Sequence, residues 1–121
     1  RMNTLKNTSH APRIVYQADQ SVIKISGVSI LENAPAYFEP VFAMATKFLE
    51  ENNSLEVVFH LEYFNTGTSV CFKVLLDSIH RHKHDKPVQI KWRYDKEDQE
   101  IMENGQAIEE LTGLEFIYEA V

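Results

Sequence analysis

Alternating strand and helix signals predict an α/β fold for this chain: a single domain in the order ββαβαβαβ, with a mixed, mostly parallel sheet and helices mainly on one face. Two observations carry that prediction. Apolar residues shift from a period of two to steps of three and four and back again, the mark of successive βα units and a largely parallel sheet. The strands nonetheless keep polar residues at every second position, which a sheet covered on both faces does not do. The helices therefore belong mostly to one face, and right-handed crossovers step the later strands in one direction.

Residues 1–11 are polar and patternless and read as a flexible lead-in, with Arg1 a remnant ahead of a native start at Met2; the domain spans 12–121. Ile14-Val15-Tyr16 and Val22-Ile23-Lys24-Ile25 are two strands across the polar turn Gln17-Ala18-Asp19-Gln20, which suggests a hairpin. Asn33 and Pro35 open a helix, Asn as cap and Pro in the first turn. Its apolar face is Phe38, Val41, Phe42, Ala45, Phe48 and Leu49, it ends at Asn52-Asn53, and Pro40 in its second turn predicts an irregular first turn or a slightly later start. From Leu55 to Phe64 strict alternation puts Leu55, Val57, Phe59, Leu61 and Tyr63 inward, opposite Glu56, His60 and Glu62. A helix at about Thr68–His82 turns Val70, Val74, Leu75 and Ile79 inward. The next strand, Val88–Tyr94, sets Val88, Ile90, Trp92 and Tyr94 on one face against Gln89, Lys91 and Arg93. The last helix puts Ile101, Gly105, Ile108 and Leu111 on one side and stops at Thr112-Gly113; the final strand is Leu114–Tyr118.

Composition narrows the function. The chain has 121 residues, with 12 Lys and Arg against 18 Asp and Glu, a formal net charge of −6. An acidic domain without a basic stripe is a poor binder of nucleic acid or anionic membrane. No apolar run reaches the roughly 20 residues of a membrane span. Four glycines and no GxGxxG or GxxxxGK[ST] leave no nucleotide cradle, so no cofactor is expected. The single cysteine, Cys71, makes no internal disulfide, which suits a reducing cytoplasm.

The informative segment is Tyr63-Phe64-Asn65-Thr66-Gly67-Thr68-Ser69, where a buried strand gives way to a helix. Such hydroxyls lie at the ligand-facing edge of an α/β sheet and beside a helix N-terminus that stabilises an added phosphate. The plain alternative is that Thr66 or Thr68 is an N-cap and Asn65–Gly67 a turn.

This order of elements, with an Asn-Thr-x-Thr-Ser cluster between a central strand and a helix, resembles the SiaC family of bacterial regulatory phosphoproteins, whose fold is similar to the STAS domains of anti-sigma-factor antagonists. The likeness runs from about Ile14 to Tyr118 and rests on Leu31-Glu32-Asn33-Ala34, Glu62-Tyr63-Phe64-Asn65-Thr66, Trp92-Arg93-Tyr94-Asp95 and the acidic stretch Glu97–Gly105. The resemblance implies a non-enzymatic phospho-switch with no catalytic residue, metal or cofactor. A partner serine/threonine kinase phosphorylates the threonine after the asparagine, here Thr66, and a PP2C-type phosphatase removes the phosphate. The unphosphorylated form binds and activates a diguanylate cyclase, raising cyclic-di-GMP and favouring biofilm. The family pattern Asn-Thr-Ser-Ser is broken here by Gly67 and Thr68, so Thr68 and Ser69 stand as rival acceptors. The partner-binding set is Glu62, Asn65, Thr66, Gly67, Thr68 and Asp95.

Other constellations have plainer readings. His80 and His84 are four apart, but the basic run His80–His84 suits a solvated helix C-terminus better than a metal site. Asp95, Glu97, Asp98, Glu100 and Glu103 complement the dipole of a helix start, and also offer a docking edge near Thr66. Cys71 near a helix start would have a favoured thiolate, but reads as a small buried residue; Trp92 reads as core. Two other functions stay open: a STAS-like anion or nucleotide sensor at Asn65–Ser69, and a minor enzyme using Cys71 or the histidines.

Overall fold

In the computed structural model, which describes residues 10–121, five strands form one sheet in the order β1-β2-β3-β4-β5. The elements are β1 Arg13–Gln17, β2 Val22–Ser29, α1 Ala34–Asn52, β3 Leu55–Phe64, α2 Thr66–Lys83, β4 Val88–Tyr94, α3 Gln99–Glu110 and β5 Phe116–Ala120, with a 3-10 turn at Ala18–Gln20. β1 and β2 pair antiparallel as the hairpin, and every later neighbour is parallel. Each of the three helices is a crossover between adjacent parallel strands. A constant hand on one face forces the strands to advance in one direction, as expected.

One apolar cluster joins all three helices to the inward side of the sheet, including Ile23, Ile25, Val57, Phe59, Leu61, Ile90, Trp92 and Phe116. Aromatic rings form its spine: Phe72 of α2 meets Phe59 at 4.8 Å and Phe64 at 5.4 Å, and Phe59 meets Trp92 at 5.3 Å. Each such side chain contributes about 2–3 kcal/mol through burial. The opposite face buries Val22 and Val58 but is otherwise polar, and carries two ion pairs, Lys91–Glu56 at 3.0 Å and Arg93–Glu119 at 2.7 Å. The Arg93 hydrogen bond holds the Glu119 carboxyl below its usual range.

Several sequence expectations need correcting. Of the expected lead-in at residues 1–11, residues 1–9 lie outside the described residues, but its end is anchored: the His10 carbonyl accepts from the Ile30 amide at 2.8 Å, and just after it the Pro12 carbonyl accepts from the Tyr37 hydroxyl at 2.8 Å. α1 runs unbroken through Pro40. Both Pro40 and Ala36, whose carbonyl loses its helical partner there, face water, which satisfies it. β2 runs on to Ser29, and β5 starts two residues later than expected.

Tyr63 is 56% exposed rather than inward. Gly27 pairs with Leu61 but Val28 pairs with Tyr63, so Glu62 is an extra residue in β3, opposite a glycine at φ +95°. One inserted residue reverses the faces beyond it. Tyr63 is thereby expelled, and Phe64 enters the core against Phe72 and Trp92.

Val70 and Val74 are also exposed, at 55% and 46%. Leu75 and Ile79 are buried as expected, and α2 joins Thr68, Cys71, Phe72 and Leu76 to them in place of the two valines, a fuller stripe with larger side chains. Leu111, 61% exposed, sits past the last turn of α3 as its C-cap, where the helical face no longer continues.

Candidate functional site

The bulge at Glu62 sets where β3 stops. Ser29 and Phe64 pair as the last residues of β2 and β3, and the next amide, Asn65 N, donates to the Ser29 carbonyl at 3.0 Å. Asn65, not Thr66 or Thr68, caps α2: its Oδ1 accepts from the Thr68 amide at 3.0 Å, which satisfies one of the helix's free donors. Its Nδ2 donates to the Leu31 carbonyl at 3.2 Å, tying this turn to the connection that leads into α1. The Asn65 carbonyl accepts the first helical bond, from Ser69 N at 3.0 Å.

The three candidate hydroxyls have different fates. Thr66, the first residue of α2, is exposed. Ser69 is half-buried. Thr68 is 0% exposed, and its Oγ1 lies 2.6 Å from Ser29 Oγ and 3.4 Å from the Ser29 carbonyl. Thr68 therefore offers no surface to a partner, against its place in the expected binding set. Gly67 keeps a helical backbone, and a Cβ there would meet Ala34 Cβ at an ordinary 3.9 Å. A glycine at this position therefore leaves the helical backbone as a larger residue would have it.

Sequence reasoning missed Ser29. The available signal was phase: Ser29 continues the inward positions Ile23, Ile25 and Gly27, and a polar side chain on an inward face needs a hydrogen-bonding partner.

Thr66 opens on a cleft between the start of α2 and the far half of α3, shared with Phe64, Asn65, Ser69, Asn104, Ala107 and Leu111. None of these carries a positive charge. Glu62 and Asp95 share a different depression, with His60, Leu61, Lys96, Glu97 and Asp98. Glu62, Asp95, Glu97 and Asp98 are thus brought together at the same strand ends as Thr66, but in their own hollow, which Glu100 and Glu103 do not line. They are not all in a first helical turn: Asp98 caps α3 through Ile101 N at 3.1 Å, and Asp95 Oδ1 accepts from Glu97 N at 2.9 Å ahead of it.

The remaining candidates are occupied structurally. His82 Nδ1 donates to the Ser78 carbonyl at 2.8 Å, and the His80 ring lies against Gly113. Among the described residues no three His, Cys, Asp or Glu converge as a metal group. Cys71 is a small buried residue, as read from the sequence, and burial pushes its thiol pKa up, which outweighs any help from the helix start. Trp92 is core, its Nε1–H donating to the Ile101 carbonyl at 2.9 Å. No helix among the described residues is long and apolar enough to cross a membrane.

Comparison with known proteins bears on the family and the fold. The family model described as SiaC family regulatory phosphoprotein matches residues 5–121. An uncharacterised protein of Pseudomonas aeruginosa (strain UCBPP-PA14) is 25% identical over 118 residues, 96% of this chain and 94% of that protein. The crystal structure of apo-SiaC from Pseudomonas aeruginosa superposes with a TM-score of 0.82 at 24% identity, covering 93% of each chain. A chain in the crystal structure of the diguanylate cyclase SiaD in complex with its activator SiaC, from the same organism, gives 0.84 at 24% identity, over 93% of this chain and 94% of that one.

Proposed function

The chain belongs to the SiaC family of regulatory phosphoproteins, and from that premise we propose that it is a switch without catalysis of its own, controlled by phosphorylation of Thr66. The unmodified protein binds and activates a diguanylate cyclase in the cytoplasm, where that enzyme's nucleotide substrate is found. A serine/threonine kinase adds the phosphate, the cyclase is released, and a PP2C-type phosphatase restores the active form, so that cyclic-di-GMP and biofilm formation follow the modification. A structural relative is the SiaC that activates SiaD.

The observation that carries the reading is the contrast between the exposed Thr66 and the fully buried, hydrogen-bonded Thr68 at one helix start. Only an accessible hydroxyl reaches a kinase, so Thr66 is favoured over Thr68, and the half-buried Ser69 ranks between them. A phosphothreonine brings about −1.5 to −2 charges. The cleft beside Thr66 has no cationic side chain to draw that charge inward. The dianion then stays at the surface next to the amides of the first turn, where a partner would have to desolvate it, and binding is lost. The same lack of a cation speaks against a non-covalent anion sensor at this edge. Asn65, Gly67, Glu62 and Asp95 make up the rest of the proposed docking surface.

The test is phosphate mapping by mass spectrometry after incubation with ATP and the cognate kinase, followed by a cyclase assay with both forms. A single phosphate on Thr66 that abolishes stimulation supports the switch. A modified protein that stimulates the cyclase undiminished rejects it.

A further inference from the structure

We propose that the Ser29–Thr68 hydroxyl pair is a positioning element that presents Thr66 to its kinase, an inference that rests on Thr66 being the acceptor. The pair has one proton arrangement that uses both hydrogens. Ser29 O–H donates to Thr68 Oγ1 across 2.6 Å, and Thr68 O–H donates back to the Ser29 carbonyl across 3.4 Å. Both residues are 0% exposed, so neither hydroxyl exchanges its partner for water.

The loop around Thr66 is held on both sides by this contact. On one side, Asn65 is fixed by its amide to Ser29, its Nδ2 to Leu31 and its Oδ1 to the Thr68 amide. On the other, Thr68 is fixed by that same amide bond and by its hydroxyl on Ser29. Thr66 is suspended between them with its side chain in solvent. A kinase must bring an acceptor oxygen into line with the γ-phosphate, and an acceptor held in advance spares the orientational entropy of doing so. A hydrophobic core alone has no need of two polar side chains at this point; a valine has the same shape as Thr68, and an alanine fits where Ser29 is.

Three variants separate positioning from simple stabilisation. Thr68→Val keeps the shape but leaves the Ser29 hydroxyl without an acceptor. Thr68→Ser keeps the hydroxyl. The double variant Ser29→Ala with Thr68→Val removes both polar groups and so leaves nothing unsatisfied. Each is phosphorylated by the cognate kinase at a temperature where circular dichroism shows it fully folded, and kcat/KM for Thr66 is compared. The expected result is a fall of about tenfold or more in Thr68→Val and in the double variant, with Thr68→Ser within about threefold of wild type. Faster hydrogen exchange at the Thr68 and Ser69 amides accompanies the loss. A folded double variant phosphorylated at the wild-type rate overturns the proposal while leaving Thr66 as the acceptor. A wild-type protein that takes no phosphate on Thr66 removes the acceptor reading, and this inference with it.

Discussion

Gly105 of α3 lies directly against the indole of Trp92 on β4: a Cβ at that position would come within 2.5 Å of Nε1. The same indole N–H donates to the Ile101 carbonyl, one turn earlier, at 2.9 Å. The glycine is thus a clearance for the ring, and the ring is a clamp on the helix. Gly105→Ala gains up to about 1 kcal/mol of helix propensity but forces apart a packed and hydrogen-bonded contact. The expected net loss is about 1–3 kcal/mol, read as a lower urea midpoint with an unchanged slope. An alanine variant as stable as wild type would show that α3 slides freely over the sheet.

At the sheet's edge, Glu109 serves two groups of the last strand, the Tyr118 hydroxyl at 2.6 Å and the Phe116 amide at 2.7 Å. Burial first, and then the Glu109 bond, raise the Tyr118 phenol well above its ordinary value of 10.0. A raised pKa means that the folded state holds the proton more tightly, so the contribution is complete below about pH 10 and is lost as the pH rises beyond it. Tyr118→Phe should cost about 1 kcal/mol at neutral pH. The gap between variant and wild type should narrow in urea titrations above about pH 10. A gap that stays constant with pH would mean that the phenol titrates alike in both states.

Much of the architecture is legible because alternation and helical spacing report which side chains meet the core. Leu55, Val57, Phe59 and Leu61 face inward as their spacing requires. Tyr63 does not, because a bulge is a backbone event: Gly27 at positive φ permits it, and neither Glu62 nor Tyr63 signals it. In α2 two apolar stripes compete at overlapping spacing, and the choice between Val74 and Phe72 is made by the rings already in the core. The candidate site was legible as a location, a strand end meeting a helix start. Its wiring was not, since Ser29 lies 39 residues from Thr68 in the chain. Only the parallel pairing of β2 with β3 brings them together.

Asn65 holds its turn through one side chain working at both ends. Asn65→Ala removes the cap on the Thr68 amide and the bond to the Leu31 carbonyl together, and should cost about 1–2 kcal/mol. Asn65→Asp keeps the acceptor and suits the helix dipole, losing only the Leu31 bond, so its cost should stay within about 1 kcal/mol. Thermal melts of the two variants decide this. If Asp proves the worse substitution, the link to Leu31 outweighs the cap.

Thr66 should separate stability from function. Thr66→Glu places a carboxylate in the first turn of α2, where the dipole favours it, and should leave the melting temperature unchanged or slightly raised. On the proposed docking edge the same charge should weaken cyclase stimulation by about tenfold or more, in the direction of phosphorylation though with less charge. Thr66→Ala should keep stimulation and refuse phosphate. Parallel loss of folding and stimulation in Thr66→Glu would mean that the effect is structural.

Cys71 offers a check on the proposal that the chain has no catalysis of its own. The cysteine forms part of the floor of a groove between α1 and α2, with Pro35, Phe42, Val70 and Val74, where it is only 6% exposed, and burial raises its thiol above the ordinary 9.0. A thiol that is both covered and protonated is a poor nucleophile. Labelling with a disulfide reagent near neutral pH should therefore be about a hundredfold or more slower in the native protein than in denaturant, since reaction waits on local opening. Cys71→Ser should leave cyclase stimulation intact. Rapid native labelling would instead mean that the groove opens readily, and loss of stimulation in the serine variant would return the thiol to the list of working groups.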